Sequence, residues 1–496
     1  MDIKILEDQL AKFIYDLETE DRLVRVGLKE VAETSKIYKK YQDLFTRQTI
    51  DEVHGEIESA KDSKKKDILE RIYFTLAGSF IGQQLARLQD EVTTYFIKAT
   101  VKVGTESLPY FQVLPMIAKE PQFARRETLD DAAEKVTTAA CAKQKKILDT
   151  EIKLIKSLGF SGYVDYFARG KKTHYDKFFG QCLELVKATD KIWQSVSSAV
   201  VAEVLGRPFK RIRSCHTLYL RSLSMYDNFY PGKQIVSTFE KWVRDAGLST
   251  LLTKIKIDDV ARPRKNPRAV CYWPNPPSEI HLIIKPLGGE QDFESMFHEG
   301  GHALHGAAID EKLPYSLRML SRSNALTETY AFLLEDLVFN PDFLTTYLNV
   351  SAFTGAKIKW QAYFVNLMML RRYLGKFIHE YEMFAQMRLP AGPTHYAKTL
   401  EKTTGFVHKK TNWLVDMDSG FYSAEYLRAW IAAAQIQDYL VGKFGKKWFV
   451  IRRAGEFLRK LYSRGVQDEV EDVVKRLGYK PWDVSLLLKG YKDILG

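Results

Sequence analysis

Three of the ten histidines in this 496-residue chain fall within "ESMFHEGGHALHGA" (294–307), beside a glutamate and two adjacent glycines. His298 and His302 are four residues apart. On a helix that spacing puts both imidazoles on one face, where they can meet a single metal ion. Glu299 sits one step round, within reach of a water on the metal without being a ligand itself. Zinc suits such a set: it takes imidazole nitrogens, and in catalytic sites it holds three protein ligands and keeps one position open. It brings the pKa of water there to about 7, so that a neighbouring carboxylate can take the proton as the water attacks a carbonyl. The chemistry implied is peptide hydrolysis with one zinc per chain, although imidazole and carboxylate also accept cobalt or manganese.

A third ligand is required. The HExxHxxGxxH arrangement needs glycine at 305 and histidine at 308, where this chain has His305 and Ala308. His305 lies three residues past His302, off the shared face. A carboxylate on a second helix fits better. The segment "SRSNALTETYAFLLEDL" (321–337) has helical periodicity and carries Glu328 among small and apolar residues. Glu328 is expected as the third ligand, with Glu335, two turns further along the same face, as the fallback or as a support for another ligand. Glu294, four residues before His298, could accept from an imidazole N–H, since carboxylate–histidine pairs orient metal ligands in this way. Gly300 and Gly301 each cost a helix interior roughly 1 kcal/mol relative to alanine. Their presence implies that a substrate or a neighbouring helix passes close to them.

These residues need elements to hold them. "RPRKNPRAVCYWPNPPSEIHLIIKPLGG" (262–289) brackets two runs of β-formers with prolines and glycines, which predicts a small sheet or hairpin. Glu290, Asp292 and Glu294 then place negative charge at the start of a helix, where the dipole favours it. The order is strand, tight turn, histidine helix. Elsewhere apolar residues recur at three- and four-residue intervals, as in 67–99 and 128–160, so the fold class is mainly α. Glycines 159, 162 and 170 interrupt the pattern, and a partition into 1–200 and 201–496 is expected.

Bulk properties narrow the function. With 45% hydrophobic and 27% charged residues the chain is an ordinary globular protein, long enough for more than one packed lobe. The net charge of +12 raises the question of nucleic acid, but basic runs such as "KDSKKKD" (61–67) are interleaved with acids and read as solvated helix faces; no nucleic-acid partner is expected. The four cysteines are widely spaced, with neither a CxxC clip nor a disulfide framework. The first residues carry acids and lysines where a signal peptide needs an apolar run, and no stretch approaches the ~20 apolar residues of a membrane helix. A cytoplasmic protein with no membrane partner is the expectation.

The pairing of "ESMFHEGGHALH" with "LTETYAFLLEDL" resembles the thimet oligopeptidase and oligoendopeptidase F family of zinc peptidases. "YWPNPPSEIHLIIKP", "LMMLRRYLGKFIHEYEMF" (367–384) and "SGFYSAEYLRAWIAAAQ" (419–435) add to the likeness, which runs from about 210 to 440. The resemblance implies a helical ellipsoid split by a deep channel, open to short unfolded peptides. It also implies His298, His302 and Glu328 as zinc ligands and Glu299 as general base. The strand near 279–286, with Ile280, His281 and Leu282, would pair with substrate backbone, and Tyr422 and Tyr426 would donate hydrogen bonds to the oxyanion. Departures are clear at the tyrosine segment: "DMDSG" precedes it where a histidine is usual, the nearest upstream histidine is His408, and Arg428–Ala429 stand near another tyrosine site. The ending "AAAQ" is also similar to related helical zinc carboxypeptidases, in which Arg428, Arg318 or Arg322 could grip a substrate carboxylate. That is the alternative within the same chemistry. The alternative of another class is a non-enzymatic, basic helical binding protein. Monomer and homodimer are both compatible with the sequence.

Overall fold

The periodic segments fold as long helices, Ser63–Lys98 and Phe123–Ser157 among them. The computed structural model describes every residue except 1, 30, 263, 267, 387 and 388. It is mainly helical, as the sequence predicts, and its described residues form two small sheets where the sequence predicts one. The glycine breaks act as stops rather than as a linker. Gly159 takes a left-handed φ of +93° after the helix Phe123–Ser157, and Tyr163–Gly170 forms a short helix of its own. Among the described residues, no helix is long and apolar enough to cross a membrane.

By compactness the chain divides into two units, each assembled from three segments. One comprises Met1–Gln83, Ser224–Lys359 and Arg428–Leu487; the other comprises Gln84–Leu223, Trp360–Leu427 and Leu488–Gly496. Residues 200 and 201, where the sequence suggested a partition, lie side by side within the helix Tyr175–Leu205, both buried. That helix ends at Gly206, whose left-handed φ of +62° suits the residue after a helix terminus.

In the second unit, β1 (Thr100–Val103) and β2 (Glu106–Pro109) form an antiparallel hairpin. Val101 and Val103 pack with Val113, Ile117 and Leu129 from the neighbouring helices.

The first unit holds the three-stranded sheet β3 (Ile255–Asp258), β4 (Val270–Asn275) and β5 (Glu279–Ile283), in the order β3-β5-β4. The two β-rich runs in the sequence are β4 and β5; β3 is an addition, parallel to β5 in the register Ile255↔Ile280 and Ile257↔Leu282. The central position of β5 corrects one expectation. A strand can add a substrate strand only along an unpaired edge, and β5 is paired with β3 on one side and with β4 on the other. Ile280 and Leu282 are fully buried, and His281 is buried with its Nε2 2.8 Å from Glu279. Ile280 packs under the histidine helix, its Cδ1 2.8 Å from where a Cβ on Gly306 would lie, and the backbones of all three residues are committed to the sheet. They do not offer a backbone to substrate.

The outer edge of β4 is met by the helix Ile3–Arg25, where Glu18 accepts a hydrogen bond from the Trp273 backbone N–H at 2.9 Å. Burial, opposed by that bond, lifts the Glu18 carboxyl from 4.5 to about 7. A carboxyl with a raised native pKa binds its proton more tightly folded than unfolded. Its penalty is therefore absent below pH ~4.5, grows as pH rises and saturates above ~7, at an upper bound of about 3 kcal/mol. Glu18→Gln keeps the acceptor oxygen and removes the titration. It should raise the melting temperature above the native value at pH 8.5 and leave it unchanged at pH 4, measured by thermal unfolding.

Candidate metal centre

Two glycines start the centre. Gly288 and Gly289, with φ of +92° and +97°, turn the chain from β5 into the helix Glu290–Ala308, a conformation open to few other residues. Asp292 accepts from the backbone N–H groups of Leu287 and Gly288 at 2.5 and 2.7 Å, and Asp227 accepts from that of Glu290 at 3.0 Å. Carboxylates thus occupy the electropositive end of the helix.

The helix is then packed on three sides, each with a glycine at the contact. A Cβ on Gly300 would lie 2.3 Å from the ring of Phe239, and one on Gly306 2.7 Å from the Trp273 indole. On Gly301 it would lie 2.7 Å from the Ala331 Cα and 2.8 Å from the Tyr330 carbonyl oxygen, both backbone atoms of the helix Ala325–Glu335. Gly300 and Gly301 are buried. Protein fills the space beside them, so the close neighbours are Phe239 and a helix, and the substrate contact expected of these glycines is replaced by packing. Gly301→Ala must push two helix backbones apart. Overpacking of this kind costs about 1–3 kcal/mol, and a lower melting temperature than the native chain's is the expected result.

The approach at Gly301 brings the two helices' functional residues together. Among the described residues, His298, His302 and Glu328 form a group whose possible ligand atoms all lie within 4.8 Å of one another. Glu328 Oε2 is 3.3 Å from His298 Nε2 and 3.8 Å from His302 Nε2. Ligand atoms on a tetrahedral zinc, with bonds of roughly 2.0–2.2 Å, are separated by roughly 3.3–3.6 Å. The donor set therefore fits a zinc ion, with the His298–Glu328 pair already at that separation and the His302–Glu328 pair slightly wider. The side chains are only partly sheltered, with 17%, 16% and 6% of His298, His302 and Glu328 exposed.

Electrostatics separate the two imidazoles. Burial disfavours charge on His298, but hydrogen bonds to Glu328 and Glu335 outweigh it and hold its pKa well above the ordinary value. Burial lowers His302, against the opposing charges of Glu328 and Glu299. The pocket thus favours positive charge while leaving His302 neutral, the form in which imidazole binds a metal.

The orienting carboxylate is Glu335, with Oε2 2.7 Å from His298 Nδ1. Glu294, which the spacing along one helix suggested for that role, instead lies close enough to Glu290 and Tyr230 for its charge to raise both. The reason is geometric: the packed second helix delivers a carboxylate to the outer nitrogen of the ring. Glu335→Gln should weaken zinc binding by about 10- to 100-fold, the usual effect of losing such a partner, read by competition with a chelating dye.

Glu299 is half-buried and, among the described residues, makes no hydrogen bond or ion pair, which leaves its carboxylate available for proton transfer. His305 stands apart from the ligands. It is fully buried, and its Nε2 donates to the Gly465 carbonyl at 3.1 Å; its ring meets Trp273, Tyr330 and Tyr462. Burial takes it down to about 3, so it remains neutral. Asp227 and Phe239, which fix and pack the helix, went unnoticed in the sequence. Asp227 carries no local signal because its partner is 63 residues away. Phe239 was legible as part of the amphipathic run of Ile235–Asp245.

Tyr422 and Tyr426 belong to the second unit, at the start of the helix Tyr422–Phe444. Their rings meet edge to face at 4.9 Å, and Tyr373 packs on Tyr426 at 5.1 Å. The three arginines considered as carboxylate grips are engaged within the protein. Arg428 holds Glu471 through two bonds of 2.8 Å, Arg322 holds Asp67 and Glu70, and Arg318 donates to the Pro276 carbonyl.

No family model matches the sequence, and no curated relative does. Among solved structures, one described as "PZ peptidase A with inhibitor 2" is similar in fold. It is 12% identical, with a TM-score of 0.69 over 94% of this chain and 86% of that one. An identity so low carries the fold alone, and the chain therefore has the mainly helical fold of a peptidase.

Proposed function

We propose that this protein is a zinc-dependent endopeptidase that hydrolyses short unfolded peptides, with its chemistry supplied by the chain after residue 200. The observation that carries the reading is the convergence of His298, His302 and Glu328 within 4.8 Å beside Glu299. A zinc ion held by those three side chains would polarise the scissile carbonyl and acidify water. Glu299 takes the proton of the attacking water and passes it to the leaving amine. Glu335 fixes the His298 ring through Nδ1, and so keeps Nε2 turned towards Glu328. The oxyanion role of Tyr422 and Tyr426 rests on the family resemblance alone.

The test is hydrolysis of an internally quenched peptide amidated at its C-terminus, before and after chelation and zinc replacement. Cleavage that disappears with the chelator and returns with zinc supports the reading. Cleavage confined to peptides with a free C-terminal carboxylate would make the enzyme a carboxypeptidase, and no cleavage by the zinc-loaded chain would exclude a peptidase.

A further inference from the structure

The second unit contains a cavity of about 280 Å³, formed within that unit alone. Its charged lining residues balance: Arg221, Arg372 and Lys409 against Asp130, Glu134 and Asp416. Most of that charge is spent internally. Lys409 pairs with Asp130 at 2.8 Å and Glu134 at 3.3 Å, and Asp416 is held by Arg372 and by the Tyr396 hydroxyl. A ligand with a net charge would meet no uncompensated counter-charge from these pairs.

Three other lining side chains keep hydrogen-bonding capacity that no described residue uses: the Ser214 hydroxyl, the Asn412 amide and one nitrogen of His408. The free nitrogen can be assigned. Thr404 Oγ1 donates its proton to the Leu400 carbonyl at 2.6 Å and accepts from the Phe406 N–H. It has no second proton to give, so at 3.2 Å His408 Nε2 is the donor and Nδ1 keeps its lone pair. Burial takes His408 down to about 3, which preserves that neutral tautomer. The cavity therefore offers an acceptor at His408, a donor–acceptor pair at Asn412 and a hydroxyl at Ser214. Tyr110, Phe406, Leu218 and Met368 supply apolar walls.

We propose that this cavity binds a small uncharged ligand with an amide-type edge, donor beside acceptor, on an apolar body. A free nucleobase and an end-blocked amino-acid amide share that chemistry. The volume lies at the lower end of ligand cavities, roughly 300–1,000 Å³, and so takes a ligand of one or two rings. The proposal is carried by residues of the second unit alone and does not rest on the peptidase reading.

The experiment is titration calorimetry of the full chain with adenine and with N-acetylphenylalaninamide, beside AMP and N-acetylphenylalanine as their anionic counterparts. Saturable binding of at least one neutral probe is expected, with the charged counterparts at least tenfold weaker. Asn412→Leu should weaken the bound probe about tenfold and Ser214→Ala severalfold, as loss of ligand hydrogen bonds does. Thermal unfolding of each variant establishes that it is folded, and either variant alone suffices for the test. Adenine binding alone would identify a nucleobase site, and amide binding alone a peptide-derived one. The proposal is overturned if neither neutral probe binds, if the charged counterparts bind as tightly, or if a folded variant binds like the native chain.

Discussion

Glu299→Gln should lower kcat on the quenched peptide by about 10²–10⁴-fold, the contribution of a positioned general base, while zinc binding stays at the native level. Glutamine matches glutamate in size and closely in helix propensity, so the helix Glu290–Ala308 should be undisturbed. Because the native carboxylate has no hydrogen bond or ion pair among the described residues, no internal contact is lost. The melting temperature should not fall. What glutamine cannot do is accept a proton from water. A variant that keeps activity within twofold of native would remove Glu299 from the mechanism and leave the metal centre without its base.

Glu328→Ala should weaken zinc by more than about 100-fold, beyond the usual effect of losing an outer partner, and should remove hydrolysis with it. Glu328 is the only carboxylate in the group that brings its oxygen to both imidazoles, at 3.3 and 3.8 Å. Without it, two histidines remain on one helix, too few for a catalytic zinc site. Glu335 is already bound to the far nitrogen of His298 and cannot take over without breaking that bond. Zinc affinity measured by dye competition, with kcat/KM on the same samples, checks both parts. Retention of native affinity would mean that the ion is held elsewhere.

The pieces of this centre differed in how readable they were. His298 and His302 could be read because both lie on one helix, where a four-residue spacing fixes the geometry. Glu328 could be read because a carboxylate among apolar residues needs a reason to be there. The orienting partner could not be settled between Glu294 and Glu335, since the choice depends on how closely a second helix packs. Gly301 sets that distance. The same glycines looked like openings for a substrate because a missing side chain signals a close approach without saying what approaches. The strand β5 was recognisable from its β-branched residues, but its central place in the sheet depends on β3, a four-residue strand of weak signal that lies 21 residues before it in sequence. The compact units were hidden for a related reason: each is built from three separated segments, so no single break in composition marks them.

The central claim is that His298, His302 and Glu328 hold one catalytic zinc ion. Calorimetric titration of zinc into the chelator-stripped chain, beside His302→Ala, tests it most directly. One tight site per native chain, lost in the variant, is the result this account expects. No tight site in the native chain, or an equally tight one in His302→Ala, would contradict it.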